Sequence, residues 1–120
     1  MVVSVDPFIY VWAYRVPPHN VGEFRRLYGP DGAWVRLFRR APGYLDTQLY
    51  RDRNDGDRYL TIDRWESEGA FRSFRARFAE EFERLDSEGE RLMLEETPLG
   101  EFEPGDIDRP VGAPDPDIRP

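Results

Sequence analysis

The 120-residue chain contains no cysteine, no lysine and a single histidine, His19. Without cysteine it has no disulfide, no thiolate nucleophile and no zinc-finger spacing. Without lysine it cannot form the Schiff base on which ordinary pyridoxal phosphate chemistry depends. One histidine does not build a histidine-rich metal site, although carboxylates could still hold a hard cation. Long apolar runs are missing too. The opening MVVSVDPFIYVW has neither a basic leader before an apolar stretch nor a small-residue cleavage site, so no signal peptide or membrane span is expected and the cytoplasm is the default location. Basic patches are equally scarce. The net charge is -7 and the seventeen basic residues, all Arg, alternate with Asp and Glu along nearly every segment, which argues against nucleic acid as a partner. The longest acid-poor basic run, Arg36 to Arg40, adjoins Trp34 and contains Leu37 and Phe38, and reads as the solvated side of a buried segment.

What the chain does have is a central stretch, Pro42 to Ser67, that reads as two strands and a turn. Tyr44–Tyr50 and Arg58–Glu66 are rich in aromatic and β-branched residues, and Asn54-Asp55-Gly56-Asp57 between them offers positions that tolerate positive φ. Ser67 is a good N-cap, and from there Phe71, Phe74, Phe78, Phe82 and Leu85 follow helical spacing. Upstream, Pro7–Val16 alternates with Phe8, Tyr10, Trp12 and Tyr14 on one side and Ile9, Val11 and Ala13 on the other, so this strand expects cover on both faces. Asn20-Val21-Gly22-Glu23 has the form of a capping box opening a helix to about Gly29, and Trp34, Leu37, Phe38 and Ala41 resume helical spacing until Pro42-Gly43. Asp86-Ser87 can cap a short further turn of helix. Leu94–Phe102 looks extended, with Pro98 placing it at an edge or a bulge.

The order is β-α-β-β-α-β, the ferredoxin-like arrangement of the α+β class, with a four-stranded antiparallel sheet and both helices on one face. Residues 1–103 form one domain. The Pro- and Asp-rich stretch 104–120, with five Pro and two Gly, is expected to be a disordered tail. The sheet's other face, carrying the aliphatic side of the first strand and either Leu45 and Leu49 or Leu60 and Ile62, is too apolar for water. A homodimer packed sheet to sheet is therefore expected.

On the third strand Tyr59, Thr61, Asp63 and Trp65 share a face, and the first strand supplies Phe8, Tyr10, Trp12 and Tyr14 to match. Rings mixed with a hydroxyl, a carboxylate and an indole donor suit a pocket for an aromatic ligand; they also suit a filled core with satisfied polar ends. Asp63 is the sharpest signal. A carboxylate on an apolar strand is either ion-paired, as with an Arg, or carries a raised pKa fit for proton transfer. His19, at the mouth of the first strand-to-helix loop, is either a base at a pocket rim or an ordinary loop residue.

The segment WVRLFRRAPGYLDTQLYRD followed by RYLTIDRWESEGAF resembles the antibiotic biosynthesis monooxygenase family of dimeric α+β barrels, and the closing Leu99-Gly100-Glu101-Phe102 extends the likeness over about residues 8 to 102. The resemblance implies a pocket between sheet and helices and a chemistry needing no metal, flavin or other cofactor, in which an electron-rich phenol deprotonated in a dry pocket reduces molecular oxygen itself. It matches Trp65 to the family's functional tryptophan, and puts Thr61 where the monooxygenases carry an asparagine, four residues earlier. The family's haem-degrading branch uses an asparagine on the first strand and a histidine on the second helix, and this chain has neither. The implied site is Trp65 and Thr61 positioning the substrate and its peroxide adduct, Asp63 or His19 taking the phenolic proton, and Trp12, Tyr14, Trp34, Phe38, Tyr59, Phe74 and Phe78 walling the pocket. The alternatives are a non-catalytic barrel that binds a small aromatic molecule, and a structural protein with a filled core.

Overall fold

The strand β1 (Phe8–Arg15) lies inside the sheet with a neighbouring strand along each edge, and of the two faces expected to be covered the helices cover the one carrying Phe8, Tyr10, Trp12 and Tyr14. The computed structural model describes residues 6–105, so the expected tail lies outside the described residues from 106 on. After β1 come a 3-10 turn (Pro18–Asn20), α1 (Val21–Tyr28), α2 (Ala33–Phe38), β2 (Tyr44–Arg51), β3 (Arg58–Trp65), α3 (Glu68–Arg77), α4 (Ala79–Glu90) and β4 (Glu95–Phe102). The sheet is antiparallel throughout, in the order β2-β3-β1-β4, and the fold is ferredoxin-like α+β. Helices cover one face only. Phe24 of α1 packs on Tyr14, and Phe38 of α2 with Phe71 and Phe74 of α3 surround Trp65.

Register decides which residues share that covered face. Phe8, Tyr10, Trp12 and Tyr14 stand opposite Trp65, Asp63, Thr61 and Tyr59, so the two sets named from alternation form one surface. The buried aromatic cluster built on it includes Trp65 and Phe24, neither of which has any exposed area, and burying each such ring contributes roughly 1.5 to 3 kcal/mol. Ile9, Val11, Leu60 and Ile62 lie on the uncovered face and remain partly exposed.

Several local expectations are corrected. Asn20 makes no capping bond; its amide donates instead to the Leu92 carbonyl at 3.1 Å, tying the start of α1 to the segment after α4. Ser67 does cap α3, accepting from the Ala70 N–H at 3.1 Å. The following helix breaks at Phe78, where φ is -111° and ψ is 34°, and then runs on through Asp86-Ser87 to Glu90. The hairpin loop closes without a left-handed Gly56, the glycines with positive φ among the described residues being Gly43 and Gly100. Side chains close it instead: Asp52 accepts from the Asn54 N–H at 2.8 Å, and Arg15 holds Asp55 through two bonds of 2.9 and 3.2 Å. An irregularity between Tyr44 and Asp46 shifts β2, so Tyr44, Thr47 and Leu49 meet Trp65, Asp63 and Thr61 on the covered face. Leu49 therefore belongs to the core side. Leu45 is left exposed, and Asp46 pairs with Arg64 on the other face at 2.6 and 2.9 Å. At the opposite edge Pro98 is accommodated both ways, on an edge strand and beside a bulge that leaves Leu99 unpaired and Gly100 at φ +138°.

Candidate active site

Between the covered sheet face and the helices lies a cleft of about 1170 Å³, larger than a well-packed interior leaves by accident. Its floor is the register-matched set Tyr10, Trp12 and Tyr14 with Thr61 and Asp63, joined by Thr47 from β2. Its walls come from Tyr28, Trp34, Phe38, Phe71 and Phe82 on the helices, and from the bulged part of β4.

Asp63 is the chemical centre of the floor. Its side chain is buried, and among the described residues it has no ion-pair partner, because Arg64 on the next position points to the other face and holds Asp46. Of the two readings open for this carboxylate, the ion pair finds no partner among the described residues. Burial raises its pKa to about 7, against a hydrogen bond from Thr47 that lowers it and a smaller contribution from the Asp46 charge that raises it. The donors line up in one direction: the Tyr44 and Thr47 hydroxyl oxygens lie 2.7 Å apart, and Thr47 donates to Asp63 Oδ1. With the Thr47 proton committed to Asp63, the Tyr44 phenol is the donor to Thr47.

The neighbouring phenols have a different role. Burial, with the Asp63 charge second, holds Tyr10 well above the usual tyrosine range, and burial does the same to Tyr14. Both stay protonated near neutral pH, so they can donate or position but cannot act as bases. Tyr14 shares a 2.8 Å hydrogen bond with Thr61, and the Trp65 indole N–H donates to the Tyr10 oxygen at 3.3 Å. Asp63 is thus the one group on this part of the floor able to exchange a proton near neutrality.

The residues named from sequence divide cleanly. Trp12, Tyr14, Trp34, Phe38, Thr61 and Asp63 line the cleft. Trp65, Tyr59, Phe74 and Phe78 do not reach it and are core, with Trp65 acting on the cleft through Tyr10. His19 is exposed on the 3-10 turn, outside the lining, so the structure does not bring it to Asp63. Sequence reasoning missed Thr47, hidden by the β2 irregularity. It also missed Asp86, Glu90 and Glu96, although Phe82, Asp86 and Glu90 recur at four-residue spacing along one helix face. Carboxylate oxygens of these three acids lie within 4.8 Å of one another, near enough to share a cation.

An α+β sheet with helices on one face and an aromatic cleft between them defines the class of this protein. The chain belongs to the antibiotic biosynthesis monooxygenase family, whose model matches residues 7–85. No curated protein shows significant sequence similarity to it. Among solved structures it is similar to SnoaB, a cofactor-independent oxygenase from Streptomyces nogalater, at 23% identity and TM-score 0.58, covering 81% of this chain and 91% of that one. It is also similar to PA3566 from Pseudomonas aeruginosa, at 21% identity and TM-score 0.63, covering 88% of this chain and 99% of that one. Likeness at this level is a likeness of fold. Among the described residues no helix is long and apolar enough to cross a membrane.

Proposed function

We propose that the protein is a cofactor-independent monooxygenase acting on a planar hydroxylated aromatic, of the phenol or anthrone type, with molecular oxygen. Asp63 carries the reading: a buried carboxyl with no ion-pair partner among the described residues, on the floor of an aromatic cleft, with a pKa of about 7 that suits a general base at neutral pH. In the reaction, Asp63 takes a proton from the activated C–H or phenol O–H, leaving an electron-rich anion held among Tyr10, Trp12 and Phe38. The anion reduces oxygen, and recombination forms a carbon-bound peroxide. The proton on Asp63 returns to that peroxide, the peroxide-bearing carbon then loses its remaining proton as the O–O bond breaks, and that proton leaves with the released hydroxide as water while the carbon becomes a carbonyl. One oxygen atom ends in the product and one in water, with the substrate as sole reductant. Family membership supports the reading, as does the likeness to an oxygenase that works without a cofactor. It includes a homodimer formed through Ile9, Val11, Leu60 and Ile62, whose partial exposure favours association. It also keeps 1–103 as the working domain.

One observation favours a second reading, a non-catalytic binder of aromatic molecules. Thr61 is already bonded to Tyr14 and the Trp65 N–H to Tyr10, so the two positions the family uses to hold reacting groups are both engaged. Oxygen uptake by metal-stripped protein against dihydroxynaphthalenes and anthrones separates the two readings. Uptake that disappears in Asp63→Asn supports the oxygenase, whereas tight binding without uptake supports the binder.

A further inference from the structure

The charges lining the cleft are unequal. Among the described residues the carboxylates of Asp63, Asp86, Glu90, Glu96 and Glu101 line it, against one cation, Arg75 on α3. The chemistry above nevertheless forms an aromatic anion in this cleft. A negative charge set among carboxylates and shielded from water is costly unless a positive group compensates it. Arg75 is the group on the wall that can do so.

Its placement supports that role. The guanidinium carbon lies over the Phe82 ring, 3.9 Å from its centroid, and Phe82 is itself part of the cleft wall. That contact orients the side chain, and among the described residues no carboxylate pairs with it. Phe71, one helical turn earlier, also lines the cleft and lies 4.8 Å from the Tyr10 ring on its floor. The Arg75 charge is felt at that floor: burial and the Asp63 charge hold the Tyr10 phenol high, while the Trp65 hydrogen bond and the Arg75 charge draw it down. Asp63 itself responds to burial, Thr47 and Asp46, and not to Arg75. The cation therefore acts beside the base without quenching it. Arg75 is exposed, and a planar ligand lying on Tyr10 and against Phe82 would cover it, which strengthens the attraction by excluding water.

We propose that Arg75 holds the anion: its guanidinium donates to the charged oxygen of the deprotonated aromatic, beside Phe82, and stabilises the phenolate or enolate formed as Asp63 takes the proton. The substrate's O–H or C–H bond breaks, the proton goes to the Asp63 carboxylate, and the electron pair stays on the substrate, delocalised onto its oxygen. One negative charge thus moves from Asp63 to the substrate oxygen beside Arg75. The guanidinium favours the charge after that transfer more than before it, which is the condition for lowering the barrier and not merely tightening binding. The inference rests on the reading of the cleft as the site of a hydroxylated aromatic.

The test is spectrophotometric titration of 4-nitro-1-naphthol bound to the full chain, since its anion is read from visible absorbance, beside 1-methoxy-4-nitronaphthalene, which cannot ionise. In Arg75→Gln the bound naphthol is expected to ionise about one pH unit higher than in the wild type, so that the anion binds about tenfold more weakly while the methoxy probe binds as before. Arg75→Lys is expected to keep part of the shift, because it keeps the charge without the guanidinium fork. The same Arg75→Gln shift is expected in an Asp63→Asn background, which separates the cation from the base. Equal ionisation with and without Arg75 overturns the proposal and leaves the aromatic cleft standing. Equal weakening of both probes makes Arg75 a packing partner of Phe82 and also overturns it. No binding of either probe overturns the reading of the cleft, and the proposal with it.

Discussion

Thr47 and Asp63 face each other across the β2–β3 pair, and the threonine hydroxyl donates to the aspartate carboxylate on the floor of the cleft. That bond opposes burial in setting the aspartate's pKa, so it tunes the proposed base. Replacing Thr47 by Val is expected to move the lower limb of the pH–rate profile upward from about 7 while leaving the profile's shape intact, as read from initial rates of oxygen uptake. An unmoved limb would show that another group sets it.

The same carboxyl makes stability depend on pH. Its folded pKa, about 7, lies above the unfolded value of 3.8, so the folded state binds the proton more tightly and stability falls as pH rises between those values. The full loss is on the order of 4 kcal/mol. Asp63→Asn is expected to flatten this decline and to be more stable relative to wild type above pH 7 than near pH 4. Urea denaturation across that range checks the sign. Glu96, raised from 4.5 to about 7, adds a decline of the same direction, weakened by its partial exposure to water.

Trp65 supports the cleft from behind. Its fully buried ring touches Phe38, Tyr44, Phe71 and Phe74, and its N–H holds Tyr10. Trp65→Phe should cost about 1 to 3 kcal/mol through lost volume and the lost bond. It should also release the Tyr10 hydroxyl into the cleft, so bound aromatic probes are expected to change affinity along with the urea midpoint. A stability loss with unchanged probe affinity would confine Trp65 to the core.

Gly89 is the one buried residue of α4, and a Cβ there would overlap the Tyr28 hydroxyl. Gly89→Ala gains helix propensity but must push Tyr28 or α4 aside, and a net destabilisation of about 1 to 3 kcal/mol is expected. Thermal melts of Gly89→Ala and of Gly89→Ala/Tyr28→Phe check it, the second variant recovering part of the loss.

The uncovered sheet face carries the dimer prediction. A charge at its centre, Ile62→Asp, is expected to convert a dimer to monomer in sedimentation while Asp46 and Arg64 keep the strand pair tied. A wild-type chain that sediments as a monomer ends this part of the reading.

Much of the architecture was legible because alternation and helical spacing are local. The alternation of Phe8–Arg15 marked a strand, and the interruption at Gly29–Gly32 and the Ser67 cap fell where the elements end or begin. Pattern failed where a side chain found a distant partner. Asn20 had every local reason to cap α1 and bonds Leu92 instead, and the β2 irregularity reversed the faces that simple alternation assigns to Leu49 and Thr47.

The sequence by itself determined the order of elements, the two aromatic sets on the first and third strands, and the suspicion attached to Asp63, since each follows from period, propensity or the cost of an apolar neighbourhood for a charge. Only the tertiary structure decided that Asp63 has no counter-ion among the described residues, that Trp65 lies behind the cleft instead of in it, that His19 stands apart, and that three carboxylates from α4 and β4 converge. Those outcomes depend on strand register and helix placement, which bring together residues far apart in the chain, and no local pattern encodes which of them will meet.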